Sequence, residues 1–322
     1  MTGIGVNMVS ERDKKRNSGQ INIVISNQKR APVYKEPPVH ESMEKTIHPQ
    51  HEVLMQIEEE LEELVGMEEM KGIIKQIYAW IYVNKKREEH GLKAGRQVLH
   101  MMFKGNPGTG KTTVARLIGK LFQKMNVLSK GHLIEAERAD LVGEYIGHTA
   151  QKTRDLVKKA IGGILFVDEA YSLGRGGEKD FGKESIDTLV KHMEDKSQEF
   201  ILILAGYSRE MDQFLTLNPG LHSRFPIVID FPDYDIPQLM EIADRMLKDK
   251  QYVLSNSARH KFEAHLSHIK HTWSPISFSN GRYIRNALEK SIRAQAMRLL
   301  LSDVYDKKEL LTIRSQDLQF GE

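Results

Sequence analysis

The chain has no cysteine. That excludes a disulfide framework, a thiolate nucleophile and a zinc-thiolate site, and it fits a reducing compartment, so a cytoplasmic location is expected. No uninterrupted apolar run approaches the roughly 20 residues that span a bilayer. The opening MTGIGVNMVSERDKKRN also lacks the basic-then-apolar order of a secretory signal. Neither sign of charge is in excess. The 47 basic residues against 44 acidic ones leave +3, too even to call for nucleic acid or an anionic membrane as partner. What remains is an ordinary globular balance, 40% hydrophobic and 28% charged over 322 residues. That length suits two modest domains and a tail better than one core.

Residues 1–50 differ from the rest. Charged clusters (ERDKKRN, QKR), the pair Pro37–Pro38 and scattered Ser and Asn surround one short apolar run, Ile21 to Ile25. Such a stretch buries too little surface to offset its ordering entropy, so a flexible tail is expected, with a strand-like docking peptide as the functional alternative. From His51, Leu54, Ile57, Leu61 and Leu64 recur at helical spacing above an acidic face. Gly66 interrupts, and a second helix follows through Met70, Ile73, Ile77 and Ile81.

Beyond residue 98 short apolar runs alternate with amphipathic helices. The runs are Val98–Phe103, Leu133–Ala136, Ile164–Val167, Ile201–Leu204 and Ile227–Phe231. Several have no polar alternation, as parallel strands covered on both faces require. The pattern predicts an α/β fold with a doubly wound, parallel five-stranded sheet. After Phe231 the strand signals fade. Helical patterns (Leu239, Ile242, Ala243, Met246; then Ile284, Leu288, Ile292, Met297) predict a small C-terminal helical domain. The expected organisation is a tail at 1–50, an α/β nucleotide-binding domain at 51–232 and a helical domain at 233–322.

Gly105, Asn106, Pro107, Gly108, Thr109, Gly110, Lys111 and Thr112 fit G-x-x-x-x-G-K-[ST], with Thr113 following. The glycines let the backbone curl so that its N–H groups face phosphate oxygens. Lys111 supplies a point charge for the β- and γ-phosphates, and the Thr112 hydroxyl ligates Mg²⁺. Apolar HMMF precedes the loop, and a helix through Val114, Leu117, Leu121 and Met125 follows. With glycine at about 7% of average usage, chance gives such a match in roughly one chain in a hundred of this length.

The run Ile164–Val167 ends in Asp168 and Glu169. In a doubly wound sheet the carboxyl ends of strands face the ligand crevice. Asp168 there is expected to hold the Mg²⁺ shell, and Glu169 to orient and deprotonate the attacking water. An acidic pair at a strand end is weak evidence alone; downstream of a P-loop it gains force.

The segments GNPGTGKTT, ILFVDEAYSL and, between them, DLVGEYIGHTAQKT resemble the CbxX/CfxQ family of AAA+ ATPases, a group that includes the red-type rubisco activase. The resemblance runs from about Leu61 to about Leu318 and leaves out the tail. It implies an AAA+ core with a helical lid. It also implies Mg-ATP hydrolysis at the subunit interfaces of a homo-hexameric ring, and remodelling of a protein partner whose identity the chain does not name. The nearest branch is that of endospore-forming bacteria, which implies work during endospore formation. Residue by residue, Tyr145, Ile146 and Gly147 match the pore loop that grips a substrate peptide. Arg224, in NPGLHSRF, matches the arginine finger that reaches a neighbour's γ-phosphate. Arg282 matches the lid's phosphate-reading position, with Arg285 as the fallback; the family usually has glycine where Ser279 stands. The polar residue that sensor 1 requires is Tyr207 or Ser208, and Leu64-Val65-Gly66 resembles the segment lining the adenine pocket.

Two other function classes compete with this motor. A small-molecule P-loop kinase does not account for the Tyr145 loop or Arg224, and an ATP-gated scaffold with little turnover does not account for an intact Glu169. A GTPase fits less well, because no N-K-x-D follows the P-loop. His265, His268 and His271, spaced by three, are expected on a solvated lid surface rather than at a metal.

Overall fold

A computed structural model describes residues 51–320 apart from 96, 146, 176–180, 218 and 273–277. All of these lie in one compact unit, Ile47–Glu322. Helices α1 (Glu52–Glu62) and α2 (Glu68–Glu89) lead into strand β1 (Met101–Gly105) and helix α3 (Lys111–Lys124). Then follow β2 (Leu133–Ala136), a single turn α4 (Arg138–Leu141), α5 (His148–Ala160), β3 (Ile164–Val167) and α6 (Gly182–Asp195). The sheet is completed by β4 (Ile201–Gly206), α7 (Ser208–Leu217), the short α8 (Pro219–His222) and β5 (Ile227–Phe231).

The five strands are parallel, in the order β2-β3-β4-β1-β5. Strand residues alternate between two cores, as the pleat dictates. Met101, Phe103, Phe166 and Ile203 pack with α1, α2 and α3 on one face. Met102, Leu165, Leu202 and Leu204 pack with α5, α6 and α7 on the other. Both faces are covered, which explains why β3 and β4 are buried at every position.

The sheet meets the expectation of five strands, with shifted bounds: β1 ends at Gly105 and β4 at Gly206. The run Val98–Phe103 becomes strand only from Met101, because the buried His100 ring takes a ladder donor: the Leu202 N–H donates to Nδ1 at 3.0 Å. The ring's Nε2–H then points to the Met193 carbonyl, 3.3 Å away. That holds His100 neutral, and burial lowers its pKa to about 4.

Past β5 lie α9 (Ile236–Asp249), β6 (Val253–Leu254), α10 (Asn256–Thr272), α11 (Asn280–Ser302), α12 (Lys307–Leu311) and β7 (Thr312–Ile313). A capping box starts α9: the Gln238 N–H donates to Asp235 at 2.8 Å and Asp235 N–H to the Gln238 side chain at 3.0 Å. Leu239, Leu247, Phe262, Leu266, Ile284 and Leu288 form a third core. A parallel two-stranded ladder, β6 with β7, joins it; two-residue strands leave too short a pattern to detect in sequence. Met297, expected on the packing face, is 56% exposed. Beyond Leu288 the buried stripe of α11 continues through Ser291 and Gln295 instead. The Gln295 amide donates to the carbonyls of Glu309, Leu310 and Thr312 and so fastens the C-terminal segment.

His265 also departs from the expected solvated face. Its ring stacks on Phe320 with centroids 3.6 Å apart and bonds the Tyr283 hydroxyl at 2.5 Å. Among the described residues no group of His, Asp and Glu is arranged to hold a metal alone, and no helix is long and apolar enough to cross a membrane.

Candidate nucleotide site

Strand order brings the site together. β4 lies between β1 and β3, with Lys104 level with Gly206 and Leu204 level with Val167. The carboxyl ends of all three strands therefore meet, and Tyr207 falls between the P-loop and the Asp168–Glu169 pair. A cavity of about 520 Å³ opens there, lined by the P-loop, Asp168, Glu169, Tyr207, Arg282 and Arg285. Leu64 and Val65, from the segment before α2, line its far end with Ile242 and Met246.

The P-loop leaves β1 at Gly105 and turns into α3 at Gly110, whose φ is 95°. Lys111 folds back over it, donating to the carbonyls of Gly105 and Asn106, each at 2.8 Å. Burial lowers the pKa of Lys111 and Arg282 lowers it further, while Asp168 and Asp233 act to raise it. The Thr109 hydroxyl donates to Asn106 O at 2.8 Å and closes the turn. Thr112 and Thr113 sit in the first turn of α3, and both line the cavity.

Glu169 has a left-handed backbone, φ 46°, held by its own N–H donating to the Asp168 carboxylate at 2.9 Å. A non-glycine residue there stores strain of about 1–3 kcal/mol, a feature that clusters at functional sites. Tyr171 stacks on Tyr207, ring centroids 5.7 Å apart. The pKa of Tyr207 is raised by burial and then by the charges of Glu169 and Asp168. That of Tyr171 is raised by burial and then by Glu169. Of the two sensor-1 candidates, Tyr207 lines the cavity, whereas Ser208 begins α7.

The hydroxyl of Thr112 and the carboxylate of Asp168 form a hard, all-oxygen donor pair. They suit Mg²⁺, which takes one or two protein oxygens and completes its shell with water and substrate phosphates. Two protein ligands are too few for a dedicated cage, in keeping with the absence of a larger ligand cluster among the described residues.

Arg224 stands apart from this cavity. Its guanidinium Nε donates to Glu194 at the end of α6 at 2.9 Å, Nη2 pairs with the same oxygen, and Nη1 reaches the Gly220 carbonyl. Tyr145 is 66% exposed, on the loop between α4 and α5, with its ring edge-on to that of His148. Gly147 caps α5 at φ 80°. Ile146 lies outside the described residues.

One group escapes sequence reasoning. Asp233, after β5, accepts two hydrogen bonds from the Asn106 amide, at 3.0 and 3.1 Å. The Tyr234 hydroxyl donates to Thr109 O at 3.0 Å, and burial raises its pKa to about 12.

Comparisons with known proteins follow the same outline. A family model described as "ATPase family associated with various cellular activities (AAA)" matches residues 101–233, and an "AAA lid domain" model matches 235–322. The chain is 68% identical over 308 residues to stage V sporulation protein K of Bacillus subtilis (strain 168), covering 95% of this chain and 96% of that one. It is 43% identical over 270 residues to the plasmid protein CbxX of Cupriavidus necator, covering 83% of each. It is 41% identical over 259 residues to the chloroplastic ribulose bisphosphate carboxylase/oxygenase activase of Cyanidioschyzon merolae, covering 80% of this chain and 87% of that one.

Proposed function

The chain belongs to the AAA ATPase family, among the CbxX and CfxQ proteins, and on that premise we propose a Mg-ATP hydrolase with shared sites. The sites lie between the subunits of a homo-hexameric ring, and turnover drives the remodelling of a protein partner. The observation that carries hydrolysis is that Lys111, Thr112, Asp168 and Glu169 line one cavity. The phosphate chain takes the place of the Gly105 and Asn106 carbonyls at the Lys111 ammonium. Thr112 and Asp168 hold the metal ion, which supplies charge neutralisation for the transferring phosphoryl group. Glu169 accepts the proton of the attacking water. Tyr207 faces Glu169 as sensor 1, and Arg282 stands over the phosphates from the lid. Leu64, Val65, Ile242 and Met246 enclose the base.

Support for a shared site comes from Arg224, which does not line its own subunit's cavity. From the domain's edge it serves a neighbour, where loss of such a finger costs on the order of 10³-fold in rate. Tyr145, with Gly147 beside it, offers an exposed aromatic face to a peptide. The Bacillus subtilis relative's name supports placing the work in sporulation.

Mixing Arg224→Ala with Lys111→Ala protein tests the shared site. Each is expected to be inactive alone. In mixed rings some interfaces pair an intact Lys111 with a neighbour's intact Arg224, so ATPase activity returns in part. No recovery at any ratio would place Arg224 in cis and remove the ring-shared site.

A further inference from the structure

Asn280 is fully buried. Its backbone is left-handed, φ 44°, at the head of α11. Its side-chain carbonyl accepts from the Tyr234 N–H at 3.1 Å. Its Nδ2 donates to Asp233 at 2.7 Å and reaches the Pro107 carbonyl at 3.4 Å. A buried primary amide is costly unless satisfied, and here every partner belongs to the P-loop or to the segment that follows β5.

Asp233 is the other half. It accepts from Asn280 at Oδ1 and from Asn106 at both Oδ1 and Oδ2. Next in sequence to Asn280, the Gly281 N–H donates to the Gly108 carbonyl at 3.0 Å. The carbonyls of Pro107, Gly108 and Thr109 are thus taken by Asn280, Gly281 and Tyr234 in turn. Arg282 follows directly, in the first turn of α11. These hydrogen bonds tie it to the phosphate cradle, alongside the apolar cluster that holds Tyr234, Phe278 and Ile284.

We propose that Asp233 and Asn280 are positioning residues that join the phosphate cradle to the lid, so that Arg282 moves in register with the nucleotide held at Lys111. The inference rests on the P-loop reading above. Neither residue touches the reacting atoms. Their effect is on how well Arg282 and Lys111 converge, which bears on turnover more than on initial binding.

The donor and acceptor roles suggest a reciprocal exchange. Asn280→Asp sets a carboxylate against the Asp233 carboxylate. Asp233→Asn leaves one acceptor oxygen where there were two, and sets its amide N–H group against the amide of Asn106 or, if turned over, against that of Asn280 as well. The double variant, Asp233→Asn with Asn280→Asp, restores a donor facing an acceptor; residue 280 still accepts from Tyr234, and only its long 3.4 Å bond to the Pro107 carbonyl is lost.

The experiment measures kcat for ATP and the Kd of a fluorescent ATP analogue in the full-length protein and the three variants. Each single variant is expected to lose kcat on the order of 10²-fold, the scale of a misplaced site, with Kd changed far less. The double variant is expected to regain at least about tenfold of it through coupling of the pair. Single variants within twofold of wild-type kcat would overturn the proposal. So would kcat and Kd worsening together with no recovery in the double variant, the behaviour of a merely structural contact. Should a single variant fold poorly, a double variant that regains its fold without regaining turnover also overturns it. If the unsubstituted protein binds no ATP analogue, the P-loop reading itself fails, a distinguishable result.

Discussion

Gly108→Ala probes the contact between cradle and lid with a single methyl group. At this position φ is +72°, where an alanine costs roughly 1–2 kcal/mol in backbone strain. The added Cβ would also sit 2.0 Å from the Ser279 carbonyl oxygen and 2.8 Å from the Arg282 nitrogen. Ordinary contact begins at 3.4 Å, so the Ser279 oxygen must retreat by 3.4 − 2.0 = 1.4 Å. Both atoms are backbone, and no rotamer change relieves them. A retreat of that size breaks the 3.0 Å hydrogen bond from Gly281 N–H to Gly108 O, since beyond about 3.6 Å no bond remains. The three apolar cores are untouched, so the protein is expected to fold. Pushing back the head of α11, which carries Arg282, is expected to lower ATP turnover on the order of 10²-fold. Gly281→Ala is the graded control, because its Cβ meets only Gly108 O, at 3.0 Å, and it should cost much less. Steady-state ATPase rates, with circular dichroism to confirm folding, decide it. A Gly108→Ala protein as active as wild type, or less impaired than Gly281→Ala, would refute the reasoning.

Two further expectations rest on single groups. Lys111→Ala should abolish nucleotide binding, whereas Glu169→Gln should bind ATP and turn over 10²–10⁴-fold more slowly, roughly the loss of a general base; equilibrium binding of a fluorescent analogue separates them, and equally poor binding would undo the division of roles. His100 makes stability depend on pH. Its folded pKa of about 4 lies below the ordinary 6.5, so between those values the unfolded chain binds a proton that the folded one refuses. The contribution is fully present above pH 6.5 and is lost as pH falls toward 4, up to about 3 kcal/mol. Urea midpoints at pH 7 and pH 4.5 for wild type and His100→Gln, which keeps a donor and an acceptor, would show a shallower fall in the variant; identical falls would count against it.

Much of the fold and site was legible in the sequence because the signals are local. The fully apolar run of β3 suits a strand covered on both faces, and β2, β3 and β5 begin and end where their runs do. The P-loop residues lie within one turn, and Asp168 and Glu169 end the strand that presents them. Met297 misled because the helical stripe after Leu288 is carried by Ser291, whose hydroxyl donates back to the Ala287 carbonyl, and by Gln295, whose amide bonds the segment beyond.

Local pattern determined which residues form the cradle, which strand carries the acids and where the helical C-terminal part begins to be encoded. Tertiary structure decided what meets what. The β2-β3-β4-β1-β5 order set Tyr207, rather than Ser208, between the P-loop and Glu169. It left Arg224 on Glu194, away from its own cavity. It also brought Asn106, Asp233 and Asn280 together from remote parts of the chain. Hydrogen bonds between polar residues so far apart in sequence leave no periodicity behind, since each side chain alone is as compatible with solvent as with a buried partner.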